Sequence, residues 1–150
     1  MAAGSDTIKV HKIISTIFFE NTYVLVNTKT SAAIIIDPGR NTWQRIQQII
    51  AADIKIEAIF ITHAHFDHVF DLGLVKAETG VPIYMHCLEE PLRNDFVRMA
   101  KTCDTDCQPL PGADIYWNDG DIIEVGNVSF EVIHVPGHTA GSVCIKWQDG

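Results

Sequence analysis

The sequence predicts a layered α/β domain, and three observations carry that prediction. Uninterrupted apolar runs at Ala32–Ile36 and at residues 58–61 have the character of strands buried on both faces. Between them, apolar residues recur at helical spacing, so strand, helix and strand alternate as layered folds require. In the last third, two β-branched runs flank Gly126-Asn127, a two-residue hairpin signal.

Taken in order, residues 8–19 and 22–26 are rich in β-branched and aromatic side chains and read as strands. Asn27-Thr28-Lys29-Thr30 turns the chain into the run 32–36, which stops at the turn sequence Asp37-Pro38-Gly39. A helix follows, with Trp43, Ile46, Ile49 and Ile50 on one face and Asn41 or Thr42 able to cap it. Residues 57–62 form the next buried strand, 69–79 a helix, and 81–86 a short strand. Leu92, Phe96, Met99 and Ala100 mark another helical stripe. Strands are expected at 122–125, 128–135 and 141–147, and Gln148-Asp149-Gly150 reads as a turn toward a further strand. No repeat, low-complexity tract or linker divides the chain, so residues 1–150 are read as one domain, with 1–6 flexible.

Composition narrows the function classes. A chain of 150 residues can bury a core without metal or disulfide staples. Hydrophobic residues at 47% and charged residues at 20% are those of an ordinary globular domain. Eleven basic against nineteen acidic residues, a net charge of −8, argue against nucleic acid or anionic membrane as the main partner. No apolar run approaches the ~18 residues of a membrane span, and the small polar start is unlike a signal peptide. Cys87, Cys103, Cys107 and Cys144 are too scattered for a disulfide scaffold. Reduced thiols and a cytoplasmic location are expected.

The chemistry is concentrated in Thr62-His63-Ala64-His65-Phe66-Asp67-His68. Three imidazoles and a carboxylate this close repel or desolvate one another unless a cation lies among them, and imidazole nitrogen with carboxylate oxygen suits Zn²⁺ or Fe²⁺. In an extended segment His63 and His65 project to one side and can share a metal. Asp67 and His68 diverge and can turn toward a second. A third ligand for the first metal should come from another loop at the same sheet edge. Pro136-Gly137-His138-Thr139 offers His138 at the tip of a turn. Three histidines and an open position describe a catalytic rather than a sealed metal site. His134 on its strand, like His11 and His86, is expected to be structural. Tyr84, Tyr116 and Trp117 are aromatic candidates for a pocket wall.

The motif His63-x-His65-x-Asp67-His68, the earlier Asp37-Pro38-Gly39 and the later Pro136-Gly137-His138-Thr139-x-Gly141 resemble the metallo-β-lactamase superfamily, most of all its glyoxalase II-like hydrolases. The resemblance runs from about Asn21 to Trp147. It implies an αββα sandwich with two metals at one sheet edge. His63, His65 and His138 would bind the first metal, and Asp67 and His68 the second. Asp37 would support the site by holding a ligand or its loop. The cofactor implied is zinc, one or two ions, with iron or manganese as alternatives. Such proteins continue to an aspartate that bridges both metals and to a final histidine. Neither occurs in these 150 residues, so the sequence is expected to be the N-terminal portion of the sandwich.

The leading functional expectation is hydrolysis of a thioester or related ester of a small-molecule substrate, with Asp67 orienting the attacking water or taking its proton. A mononuclear-iron persulfide dioxygenase is the redox alternative on a similar scaffold. A shortened, non-catalytic partner-binding protein is the third. Homo-oligomerisation is compatible with the sequence.

Overall fold

The computed structural model of the protein describes residues 7–50, 53–103 and 106–148; the expectations for residues 1–6 and for the turn at 149–150 lie outside them. Among the described residues one sheet runs in sequence order: β1 (Ile8–Ile14), β2 (Asn21–Asn27), β3 (Ala32–Ile36), β4 (Lys55–Phe60), β5 (Ile83–His86) and β6 (Ile115–Trp117). The β1–β2 and β2–β3 pairs are antiparallel and the rest are parallel. Parallel neighbours need a crossover. Helices α1 (Trp43–Ile49), α2 (Leu72–Thr79) and α3 (Glu90–Lys101) lie in those crossovers. A second, antiparallel sheet contains β7 (Ile122–Val125), β8 (Val128–His134) and β9 (Val143–Lys146).

Side-chain alternation divides the core in two. Ala33 and Ile35 of β3 join Trp43, Ile46, Leu72, Val75 and Phe96 of the helices. Their neighbours Ala32, Ile34 and Ile36 face Val125, Phe130, Val132 and Val143 of the second sheet. Strand β3 is therefore buried throughout, and each fully buried isoleucine contributes roughly 1.5–3 kcal/mol. A register shift between Ala33 and Ile34 sets Ile56 and Ala58 of β4 on opposite faces although they are two residues apart. The result is helices, sheet and sheet in three layers. The outer helical layer of a four-layer sandwich is not present among the described residues.

Several element boundaries differ from the sequence expectation for physical reasons. Strand β1 ends at Ile14, not at residue 19, because the chain must reverse to pair Ile14 with Asn21. The Ser15 N–H to Glu20 carbonyl bond (2.9 Å) closes that turn, with Phe19 at φ 55°. Helix α2 begins at Leu72, since residues 66–71 turn rather than coil. Strand β6 was not anticipated: three residues carry no readable alternation, and only pairing with β5 defines it. The hairpin signal does give the β7–β8 turn, with Gly126 and Asn127 both at positive φ and Val125 opposite Val128. A Cβ on Gly126 would lie 2.5 Å from the Ala32 Cβ, so glycine lets this turn seat against the first sheet. No helix among the described residues is long and apolar enough to cross a membrane.

Candidate metal centre

Parallel strands β3, β4 and β5 deliver their C-terminal ends to one edge, where ligands of α/β sheets bind. Asp37 follows β3, residues 61–71 follow β4, and His86 closes β5. The β8–β9 loop reaches the same edge from the second sheet. The Val143 N–H donates to the Thr62 carbonyl at 3.0 Å and the Val135 N–H to the Ser142 carbonyl at 2.8 Å, which fixes the stem under His138.

His63, His65 and His138 converge, each offering a ligand atom within 4.8 Å of the others. Their ring centroids are 4.6–4.9 Å apart. The His65 Nδ1 and His138 Nε2 atoms are 3.0 Å apart, close to the ~3.3 Å expected between two nitrogens on one tetrahedral cation at ordinary zinc–nitrogen distances. Asp37, His63 and His68 form a second set within the same limit. His63 thus belongs to both.

Hydrogen-bond directions decide what His63 presents. Asp37 Oδ1 accepts the Thr62 N–H at 2.7 Å, and Oδ2 accepts the Thr62 hydroxyl at 2.5 Å. That hydroxyl has one hydrogen. Toward His63 Nδ1, at 3.1 Å, it is therefore the acceptor, and Nδ1 carries the proton. Nε2 is left with a bare lone pair, and it is buried with no hydrogen-bond partner. An orphaned buried acceptor is rare and costly; here it faces two further imidazoles, which fits a cation.

The electrostatics agree. Burial above all, with His68 next, lowers the His63 pKa to about 4. Burial and then His138 lower that of His65. Both rings therefore favour the neutral form, the one in which an imidazole can bind a metal. His68 differs: burial lowers its pKa, but the Asp37 hydrogen bond (3.1 Å), the Asp37 charge and Asp67 together raise it. The His68 ring therefore holds its proton more firmly than an ordinary imidazole.

The two sets do not include Asp67. Its carboxylate lies 3.8 Å from His68 Nε2, so these neighbours face one another rather than diverge. Asp37 grips Thr62 and His68 and also lies within ligand range of His63 and His68. His134 stacks on His86 at 4.4 Å and bonds the Ala140 carbonyl through Nε2 at 2.9 Å, away from both sets. Trp117 is core, packed edge-on against Phe60, and the Tyr116 hydroxyl donates to Glu90.

Sequence reasoning missed Thr62, Glu20 and Glu89. Thr62 adjoins the motif and could be suspected from a hydroxyl beside a ligand. Glu20 and Glu89 carry no local signal, and only their burial, 5% and 0% exposed, distinguishes them from surface carboxylates.

The Metallo-beta-lactamase superfamily profile matches residues 15–150. A hydroxyacylglutathione hydrolase of Haemophilus influenzae is 30% identical over 139 residues, covering 85% of this chain and 61% of its own. Among solved structures, the B3 metallo-beta-lactamase BLEG-1 superposes with a TM-score of 0.82 at 28% identity, over 94% of this chain and 68% of the other. TTHA1623 in a di-iron-bound form gives 0.79 at 26%, with the same coverage. The chain spans about three-fifths of its curated relatives' length, 61% of the Haemophilus protein and 58% of one from Aquifex aeolicus.

Proposed function

Because the chain belongs to the metallo-beta-lactamase superfamily, a family of metal-dependent hydrolases, we propose that the whole protein hydrolyses a thioester or related ester. Its first metal would be held by His63, His65 and His138, and its second by His68 with Asp67. The observation that carries this reading is the buried, partnerless Nε2 of His63 in ring contact with His65 and His138. The name of the Haemophilus relative supports the thioester.

A divalent cation supplies a water of lowered pKa and polarisation of the carbonyl under attack. The chain's own part is positional. Asp37 and Thr62 hold the tautomer of His63, and Asp37 also holds the ring of His68. Asp67 is partly exposed beside His68, where it orients the attacking water and accepts its proton. His138 is exposed and His63 is not, so substrate would approach the three histidines from the His138 side. Zinc is the proposed metal. Imidazole suits iron equally, and a di-iron relative exists.

The test is elemental analysis of the full-length protein, followed by assay on a thioester, a lactone, a phosphodiester and a β-lactam. Thioester hydrolysis should require metal and fall at least a hundredfold in His63→Ala, with loss of bound metal. Absence of ester turnover in the metal-loaded protein, or full turnover in His63→Ala, would overturn the proposal.

A further inference from the structure

The loops that bear the three histidines are joined by a carboxylate belonging to neither. Glu89 ends the short 3₁₀ turn Cys87–Glu89 after β5 and is completely buried. Its Oε2 accepts the N–H of Ala64, the residue between His63 and His65, at 2.7 Å. Its Oε1 accepts the N–H of Gly141 at 2.7 Å and the hydroxyl of Thr139, the residue after His138, at 2.6 Å. The Thr139 hydrogen is committed to Glu89, so the Ser142 hydroxyl, 2.6 Å away, donates to Thr139 while accepting the Thr139 N–H at 3.1 Å. Every hydrogen in this chain has one destination.

A buried carboxylate costs several kcal/mol unless its oxygens are hydrogen-bonded. Here all three donors come from the ligand loops: one from the loop of His63 and His65, two from the loop of His138. The fit is close, because a Cβ on Gly141 would stand 2.9 Å from the Glu89 Cγ and Oε1 and 3.1 Å from His86 Nδ1. Charge-assisted bonds to neighbours of all three ligands leave the loops little freedom to separate.

We propose that Glu89 is a positioning residue for the metal centre, clamping the His63–His65 loop to the His138 loop and so setting the affinity and geometry with which the three imidazoles hold a divalent cation. The inference rests on reading those histidines as one metal site. Glu89→Gln tests it with little change of shape. The amide oxygen can keep Thr139 and Gly141, but the NH₂ then faces the Ala64 N–H, and the link between loops is lost. Gly141→Ala displaces the carboxylate without altering its charge, and Thr139→Val removes one donor.

The readouts, on the full-length protein, are zinc affinity by chelator competition, the visible spectrum of the cobalt(II) form, and urea unfolding of the metal-free protein. Glu89→Gln and Gly141→Ala should bind zinc 10- to 100-fold more weakly and shift the cobalt bands while still unfolding cooperatively. Should Glu89→Gln fail to fold, Gly141→Ala and Thr139→Val decide the matter by the same readouts. Lowered stability with wild-type zinc affinity and wild-type cobalt bands would overturn the clamp. If the wild-type protein binds zinc no better than His63→Ala, the metal site itself is wrong, and that appears before any Glu89 variant is examined.

Discussion

Thr62 has a single hydroxyl hydrogen and two neighbours positioned to compete for it. Asp37, an anion at 2.5 Å, takes it in preference to a neutral imidazole at 3.1 Å, and the consequence reaches the opposite side of the His63 ring. Thr62→Val removes the acceptor for Nδ1–H, so His63 is free to place its proton on Nε2, where it blocks the lone pair. Zinc affinity should fall 10- to 100-fold, read by chelator competition; unaltered affinity would show that Thr62 does not set the tautomer. The convergence of three histidines was legible in the sequence because residue type and spacing carry it: His63 and His65 alternate, and His138 follows Pro-Gly. Thr62 was not, because the direction of a hydrogen bond exists only once Asp37, at φ 50°, has been folded against it. Asp67 shows the same limit. Its place in the motif was plain, but its orientation toward His68 depends on how residues 66–71 turn.

Helix α1 illustrates what periodicity can and cannot say about an element. The stripe of Trp43 and Ile46 gave its buried face. Its N-terminus was expected to be capped by Asn41 or Thr42, yet the Thr42 hydroxyl donates to the Gly39 carbonyl instead. The cap is Asp71, from the segment leading into α2. Its carboxylate accepts the N–H groups of Asn41 (3.3 Å), Thr42 (2.9 Å) and Trp43 (3.2 Å). A helix exposes unpaired N–H groups at its start wherever the acceptor comes from, and an acceptor about 30 residues away in sequence leaves no local trace. Asp71→Ala should cost about 1–2 kcal/mol, seen as a lower urea midpoint at unchanged slope. Asp71→Asn, which keeps an acceptor oxygen, should recover part of it. Equal stability of wild type and Asp71→Ala would mean that water caps this helix as well as the carboxylate does.

For the whole molecule, the layered plan followed from apolar runs and turns, because two-sided burial leaves a compositional mark on β3 and β4. The docking of the second sheet and the short strand β6 did not, since both depend on contacts distant in the chain. The same holds for Glu20, which links the β1–β2 turn to the end of β3 and couples stability to pH. Thr22 Oγ1 donates to the Asp37 carbonyl at 2.7 Å and accepts the Gly39 N–H at 3.0 Å. The same hydroxyl hydrogen is shared with Glu20 Oε1 at 2.8 Å, a bond that favours the ionised carboxylate. Burial chiefly raises the Glu20 pKa from 4.5 to about 7; Thr22 and His68 oppose the rise, and Asp37 and Asp67 add to it. The folded pKa exceeds the unfolded one, so the native chain holds the proton more tightly. Stability from this group is fully present below pH 4.5 and is lost as pH rises through about 7. The change is on the order of 3 kcal/mol. Glu20→Gln keeps an acceptor oxygen for Thr22 and cannot ionise. In the metal-free protein, the urea midpoint of wild type should therefore fall relative to Glu20→Gln between pH 5 and 8. Parallel curves for the two proteins would remove Glu20 from the account, because a carboxylate that is already ionised at pH 5 when folded cannot make wild type diverge from the glutamine variant.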